Sequence, residues 1–387
     1  MYKILTYNNI AVSGLECFSR DCYEVASEIQ HPDAILLRSY DLHSIEIPET
    51  VKAIGRAGVG VNNIPVLECS KQGIPVFNAP GANANAVKEL VVAGMLLACR
   101  NICQAWDYSR QLEGDDDVLE KQVEKGKKQF AGVELCGKTL GIIGLGAIGV
   151  LVANSARGFG MNVLGYDPNI SVERAWQLSS SVMQASSIEE VLMRSDLVSL
   201  HVPLIDETRN TLNAERIKCM NEGAVVLNFS RSEVVDNNAI RVALDSGKLS
   251  VYVCDFPSND LKDNPKVIAL PHLGASTAEA EENCAVMVAE QLKEYLENGN
   301  IKNAVNFPYA VMPRAEGARL SIANQNIPNM VSQISTCLAN AEINIADLLN
   351  KSRGEIAYTL IDVEGEIPTE IVESIGLIDG VLSVRVV

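Results

Sequence analysis

Histidine is scarce in this 387-residue sequence, with four in the whole chain, and basic residues are outnumbered, 32 Lys+Arg against 49 Asp+Glu. The resulting formal charge of −17 repels polyanions and argues against nucleic acid or an anionic membrane as a partner. No apolar run reaches the roughly 18–20 residues of a membrane span; those at 90–99 and 140–153 stop short. The opening residues, Met1-Tyr2-Lys3-Ile4-Leu5-Thr6, read as a strand and lack the basic stretch and apolar core of a secretion signal. The ten cysteines are dispersed, form no CxxC pair and have no His or Cys partners at zinc spacing. They predict reduced thiols, no metal site and a cytoplasmic location. No repeat of fixed period is present.

What remains is globular, with 47% hydrophobic and 21% charged residues, and the length suggests about two or three domains. Short apolar runs at 34–37, 51–55 and 74–77 read as strands, with a helix over 66–72 between two of them. That alternation predicts a parallel sheet with crossover helices. A long helix is expected from about Ala86 to Leu97, followed by a solvated acidic turn at 113–117. A second α/β series has strands at 139–143, 163–166, 197–200, 224–228, 251–254 and 267–270, the pattern of a doubly wound domain. A helix over about 278–296 follows, and the stretch around Phe307-Pro308-Tyr309 and Pro313 reads as a linker. The last seventy or so residues give the order β-α-β-β-α-β, which fits a small α+β ferredoxin-like module.

Gly144-Leu145-Gly146-Ala147-Ile148-Gly149 follows an apolar strand and opens a helix, and Asp167 ends the next strand. This is the context of a dinucleotide fingerprint. Gly144 allows the tight turn, Gly146 lets a pyrophosphate approach the backbone, and Gly149 lets helix and strand pack closely. The helix N-terminus supplies free N–H groups, and Asp167 would accept from ribose hydroxyls and repel a 2′-phosphate, favouring NAD over NADP. Two histidines follow strands: His272, in Leu270-Pro271-His272-Leu273-Gly274-Ala275, and His201, in Leu200-His201-Val202-Pro203. Position alone leaves both open as a general base. Arg231 follows the strand at 224–228.

The run Gly55-Arg56-Ala57-Gly58-Val59-Gly60-Val61, the fingerprint with Tyr166-Asp167-Pro168, Asn228-Phe229-Ser230-Arg231 and residues 271–277 together resemble the D-isomer-specific 2-hydroxyacid dehydrogenases. More closely, they resemble the branch with a C-terminal ACT module. The resemblance spans essentially the whole chain. It implies a Rossmann-type NAD domain (98–276) inserted in a flavodoxin-like substrate domain (1–97, returning as a helix over 277–305), then an ACT-like regulatory domain (316–387). The implied activity is oxidation of 3-phospho-D-glycerate to 3-phosphohydroxypyruvate, the first step of L-serine synthesis. The alternatives are another enzyme of the class, of glycerate or glyoxylate type, and a catalytically silent NAD-binding sensor.

Carried over, Arg231 binds the substrate carboxylate and polarises the C2 oxygen, and His272 takes the hydroxyl proton. The family has Glu about five residues after the Asp that Asp255 matches; here Asp260 stands at that spacing and is the candidate acid paired with His272. The resemblance implies NAD contacts at Gly144, Gly146, Ala147, Ile148, Gly149, Asp167, His201, Val202, Pro203, Thr208, Ser230, Asp255, Gly274 and Ala275. It implies substrate contacts at Arg38, Arg56, Val59, Gly60 and Asn78, with Lys88 a weaker candidate. Paired ACT modules commonly bind an amino acid, and Asn324, Asn326 and Asn344 stand at or near positions used for L-serine. Asn324 replaces a His of some relatives and Asn329 a Gly of many; helix capping and turns are the other explanation for these asparagines. A homodimer or larger homo-oligomer is implied.

Overall fold

The apolar runs that predict strands fall into three separate sheets in the computed structural model, which describes residues 1–387. The chain begins with β1 (Tyr2–Tyr7), α1 (Val12–Leu15), β2 (Tyr23–Ala26), β3 (Ala34–Leu37), β4 (Ala53–Arg56), α2 (Val66–Lys71) and β5 (Val76–Phe77). Three helices follow, α3 (Ala84–Cys99), α4 (Ile102–Arg110) and α5 (Asp116–Gly126). Then come β6 (Thr139–Ile143), α6 (Ala147–Gly158), β7 (Asn162–Tyr166), α7 (Val172–Gln177), β8 (Met183–Gln184), α8 (Ile188–Arg194) and β9 (Leu197–Leu200). The series continues with α9 (Ala214–Lys218), β10 (Ala224–Asn228), α10 (Asn237–Ser246), β11 (Leu249–Cys254) and β12 (Val267–Ala269). The last part holds α11 (Ala278–Asn298), β13 (Ala318–Gln325), α12 (Met330–Asn340), β14 (Ile345–Arg353), β15 (Ile356–Val363), α13 (Thr369–Gly376) and β16 (Val381–Val386).

Two compact units result: Met1–Ala82 with Ala278–Val387, and the continuous stretch Asn83–Thr277 that interrupts it. The boundary expected after residue 97 therefore falls at 82/83. Helix α3 buries Val87, Val91 and Met95 in the core of the second unit, with Leu140, Leu227 and Phe229, and this draws it across. The acidic stretch expected as a turn is half helix. Asp115 caps α5 by accepting from Val118 N at 3.0 Å, and Asp116 and Asp117 complement the positive end of its dipole.

The first unit has a five-stranded parallel sheet in the order β2-β1-β3-β4-β5, a flavodoxin-like arrangement. Every residue of β3 is buried, as a strand covered on both faces requires. Helix α11 lies so close to β4 that a Cβ on Gly55 would collide with Val288 and Leu292. The C-terminal module forms its own four-stranded antiparallel sheet, β14-β15-β13-β16, with the expected β-α-β-β-α-β order. One face packs on α12 and α13 through Leu320, Ile322, Ile334, Leu338 and Ile361. Ala323, Tyr358 and Leu360 on the other face join a core that includes Phe77, Tyr295 and Phe307.

The linker reading of residues 307–313 does not hold. Phe307, Ala310 and Met312 are buried, and the carbonyls of Met312 and Pro313 accept from the buried Arg319 guanidinium at 3.0 and 2.9 Å. Arg319 also makes a two-point ion pair with Asp362 (2.5 and 2.7 Å). Burial raises the Asp362 pKa, but the Arg319 hydrogen bonds, the Ala315 N–H and the positive charges of Arg319 and Arg314 together outweigh it and leave the pKa below the usual carboxylate value. The ACT-like sheet is thus fastened within the first unit rather than tethered to it.

The second unit is a seven-stranded parallel sheet in the order β12-β11-β10-β9-β6-β7-β8. Its order reverses between β6 and β9, the switch point beside which a doubly wound sheet binds its ligand.

Candidate functional site: a dinucleotide turn and two strand-end clusters

In the second unit β6 runs straight into the glycine turn. Gly144 has φ +95° and lies so near His201 that a Cβ would sit 2.6 Å from its carbonyl oxygen. A Cβ on Gly149 would strike the Gly144 carbonyl, so helix α6 can leave the strand at close range only with glycine there. At Gly146 the same test meets nothing within 4 Å. The turn is open at the one glycine where a pyrophosphate needs room, and the first-turn N–H groups of Ala147, Ile148 and Gly149 have no partner within the helix. Asp167 accepts from Leu145 N at 2.8 Å through one oxygen and from Asn169 N at 2.9 Å through the other. The residues present fit a bound dinucleotide, and Asp167 also braces the turn that would hold it.

The structure separates the two histidines. The His201 ring lies 2.8 Å from Ser199 Oγ, and burial pushes its pKa down to about 4, so it stays neutral near pH 7. Below it, Thr208 Oγ1 bonds the carbonyls of Pro203 and Ile205 and accepts from Ile205 N, fixing the turn that follows Val202. His272 is exposed, in the left-handed region at φ +51°, where a non-glycine residue is strained. Three bonds from Asp255 hold it there. The Asp255 carbonyl accepts from His272 N (3.1 Å), and the buried carboxylate accepts from Leu273 N (2.8 Å) and Gly274 N (3.0 Å). Ala275, one residue on, is exposed. The His272 ring packs on Phe256, centroids 5.1 Å apart.

No hydrogen bond or ion pair joins Asp260 to His272 in this structure. Asp260 lies in a turn where Leu261 N and Lys262 N bond the Ser258 carbonyl, and buried Leu261 anchors that turn in the core and leaves Asp260 exposed. Spacing along the chain gave distance but not direction.

Asn228, which sequence reasoning passed over, organises the Arg231 loop. Fully buried at the end of β10, it accepts from Ser230 N (3.1 Å) and Ser230 Oγ (2.8 Å) and donates to the Arg231 carbonyl (2.9 Å). Its own carbonyl accepts from Asp255 N at 3.3 Å, tying the Arg231 and His272 loops together. A polar residue closing the apolar run Ala224–Leu227 was the signal, because a buried amide must find partners. Arg231 itself is exposed and donates to the Ser230 carbonyl at 2.6 Å.

In the first unit Arg38 and Arg56 emerge from the adjacent strands β3 and β4, where Leu37 pairs with Arg56. Asn63, also unforeseen, joins them. It accepts from Arg56 Nε at 3.0 Å and donates to the carbonyls of Arg38 (3.3 Å) and Tyr40 (2.6 Å). The Arg56 guanidinium folds over Gly58, where a Cβ would displace it. Asn78 donates to the Val59 carbonyl at 2.6 Å and Ala79 N to that of Gly58 at 2.9 Å, which fixes the loop. The N–H groups of Val59 and Gly60 have no partner. Two arginines from adjacent strand ends and two free N–H groups of the loop make this edge suited to an anion. Lys88 belongs to the second unit, on α3, and pairs with Glu89 at 3.5 Å.

The ACT-like asparagines are dispersed. Asn324 is buried, donating to the Gln325 carbonyl at 2.7 Å, with its Oδ1 unpartnered. Asn326 donates to the Gly354 carbonyl at 3.0 Å, beside the β14–β15 turn. Asn344 is exposed just before β14, its carbonyl accepting from Glu364 N at 3.1 Å. Asn326 and Asn344 stand at opposite ends of β14, about 27 Å apart at ~3.4 Å per residue. One module cannot bring them together. Asn329 takes the left-handed conformation, φ +72°, at the start of α12.

No helix is long and apolar enough to cross a membrane, and no cluster of three His, Cys, Asp or Glu side chains could hold a metal ion. Residues 92–274 match the family model described as D-isomer specific 2-hydroxyacid dehydrogenase, NAD binding domain. The chain is 37% identical over 352 residues to D-3-phosphoglycerate dehydrogenase of Methanocaldococcus jannaschii, covering 88% of this chain and 63% of that one. It is 34% identical over 357 residues to the enzyme of that name from Haemophilus influenzae, covering 88% and 82%. It thus spans under two thirds of the archaeal relative's length and most of the bacterial one's. The crystal structure of NAD+-bound 3-phosphoglycerate dehydrogenase from Entamoeba histolytica is similar, with TM-score 0.60 and 27% identity, over 80% of this chain and 99% of that one. With an NAD-binding turn, a strand-end histidine and arginine, and these relatives, the chain belongs to the D-isomer-specific 2-hydroxyacid dehydrogenase family.

Proposed function

We propose that this chain oxidises 3-phospho-D-glycerate at C2 to 3-phosphohydroxypyruvate, the first step of L-serine biosynthesis. The observation that carries the choice of substrate is the paired Arg38 and Arg56, beside two free N–H groups, in a chain of net charge −17. Positive charge concentrated against the global field suits a substrate with a phosphate as well as a carboxylate.

Each unit contributes separate groups. Gly144–Gly149 and Asp167 of the second unit would hold NAD, with Asp167 disfavouring a 2′-phosphate. Bound NAD supplies the hydride acceptor for C2. Arg231 binds the carboxylate and polarises the C2 oxygen, and His272 accepts the hydroxyl proton on an imidazole nitrogen. Neutral His201 forms part of the cofactor wall. Asp255 and Phe256, rather than Asp260, set the position of His272. The first unit contributes Arg38, Arg56, Val59 and Gly60 to the substrate anions, with Asn78 holding their loop.

In a cytoplasmic homodimer or larger assembly, paired ACT-like modules would take L-serine between Asn326 of one and Asn344 of the other. The test is NADH oxidation with 3-phosphohydroxypyruvate, hydroxypyruvate and 2-oxoglutarate, with and without L-serine. The expected kcat/KM for the phosphorylated substrate exceeds that for hydroxypyruvate at least about tenfold, the worth of one charged hydrogen bond. Equal values would point to a glyoxylate-type enzyme. No turnover with NADH binding intact would leave a silent sensor.

A further inference from the structure

The anion site of the first unit already holds an anion. Glu281, in the first turn of α11, places Oε1 2.6 Å from Arg38 Nη2, with both side chains 42% exposed. Arg56, on the neighbouring strand, has only Asn63 as a hydrogen-bond partner and no acidic one. Its pKa is lowered by burial and further by the nearby charge of Arg38, so the two guanidinium groups feel each other. One of two like charges in this cluster is balanced and the other is not.

We propose that Glu281 is the resident counter-ion of a phosphate subsite on Arg38 and Arg56, displaced when a phosphorylated substrate binds, and so a residue that sets substrate selectivity. This rests on the functional reading above and deepens it. A half-exposed ion pair is worth little and opens at little cost, since both partners can be rehydrated. Contrast Arg319–Asp362, whose charges are sealed and cannot part without leaving one buried alone. An arriving phosphate meets one net positive charge while Glu281 is in place and two once it swings away. The effect falls on the phosphorylated substrate alone, because an uncharged C3 hydroxyl leaves the Arg38–Glu281 pair in place, and Glu281 thus tempers the preference for phosphate.

The experiment is Glu281→Gln, which keeps the shape and an acceptor oxygen but removes the charge. KM for 3-phosphohydroxypyruvate should fall about fivefold, the upper worth of an exposed ion pair, with kcat and the KM for hydroxypyruvate unchanged. Calorimetric titration of both full-length proteins with inorganic phosphate should show Kd tightening by a similar factor. An unchanged or raised KM for the phosphorylated substrate, or a parallel change for both substrates, overturns the proposal. If the wild type shows no preference for the phosphorylated substrate, the functional reading fails and the phosphate titration decides alone. Tighter phosphate binding by the variant then supports the subsite; equal binding, or none by either protein, overturns it.

Discussion

At the carboxyl ends of β6 and β7 the second unit offers backbone N–H groups and a carboxylate, whereas at the ends of β3 and β4 the first offers two guanidinium groups. Both edges suit anions, by different means. A dinucleotide presents a diphosphate flanked by ribose and base, so a helix N-terminus can hold the charge while Asp167 reads the sugar. A small acid has no such flanks, and nearly all its binding energy must come from charge. The first unit therefore concentrates arginines where the rest of the chain is acidic, and the second carries Arg231 and His272, the proposed reacting groups, on loops braced by buried Asn228 and Asp255. The lesson is a division of labour. Changes at the first edge should show in KM and changes at the second in kcat or cofactor choice, except at Arg231, which would bind the carboxylate and so should move both.

The sharpest way to break that division is at the histidines. His272→Ala should lower kcat about 10²–10⁴-fold, the usual worth of a general base, with KM for the phosphorylated substrate little changed. His201→Ala should keep near-normal kcat and alter only NADH affinity, because its ring is turned to Ser199 and neutral. Steady-state kinetics on both variants decide this, and the reverse outcome would move the base to the other strand end. A smaller effect is expected at the cofactor. Asp167→Ala should raise kcat/KM with NADPH relative to NADH about tenfold, since one like-charge repulsion is removed. An unchanged ratio would leave Asp167 only its bracing bond to Leu145 N.

Much of the architecture is legible because parallel strands covered on both faces are continuous apolar runs: β3, β6, β9 and β10 lie where the composition puts them. Helices α4 and α5 were missed for the opposite reason. They bury no residue within the chain, and the acids that cap and open α5 look like a turn. The supposed linker misled because Pro and Tyr suggest a surface, while Phe307 and Met312 are buried. In the site, glycine roles could be read in advance because each follows from a missing Cβ. Asp260 is exposed and not bonded to His272, and spacing cannot say which way a side chain faces. Asn63 and Asn228 went unseen because their work is to position others: each bonds the backbone of the arginine loop it serves, and Asn63 also holds the Arg56 side chain.

The most direct test of the division is the KM of Arg56→Ala for 3-phosphohydroxypyruvate beside that for NADH. The account predicts a rise of about tenfold for the substrate, the loss of a charged hydrogen bond, with the KM for NADH and kcat close to wild type. A fall in kcat with an unchanged substrate KM would contradict it, because Arg56 would then belong with the reacting groups rather than with the anion site.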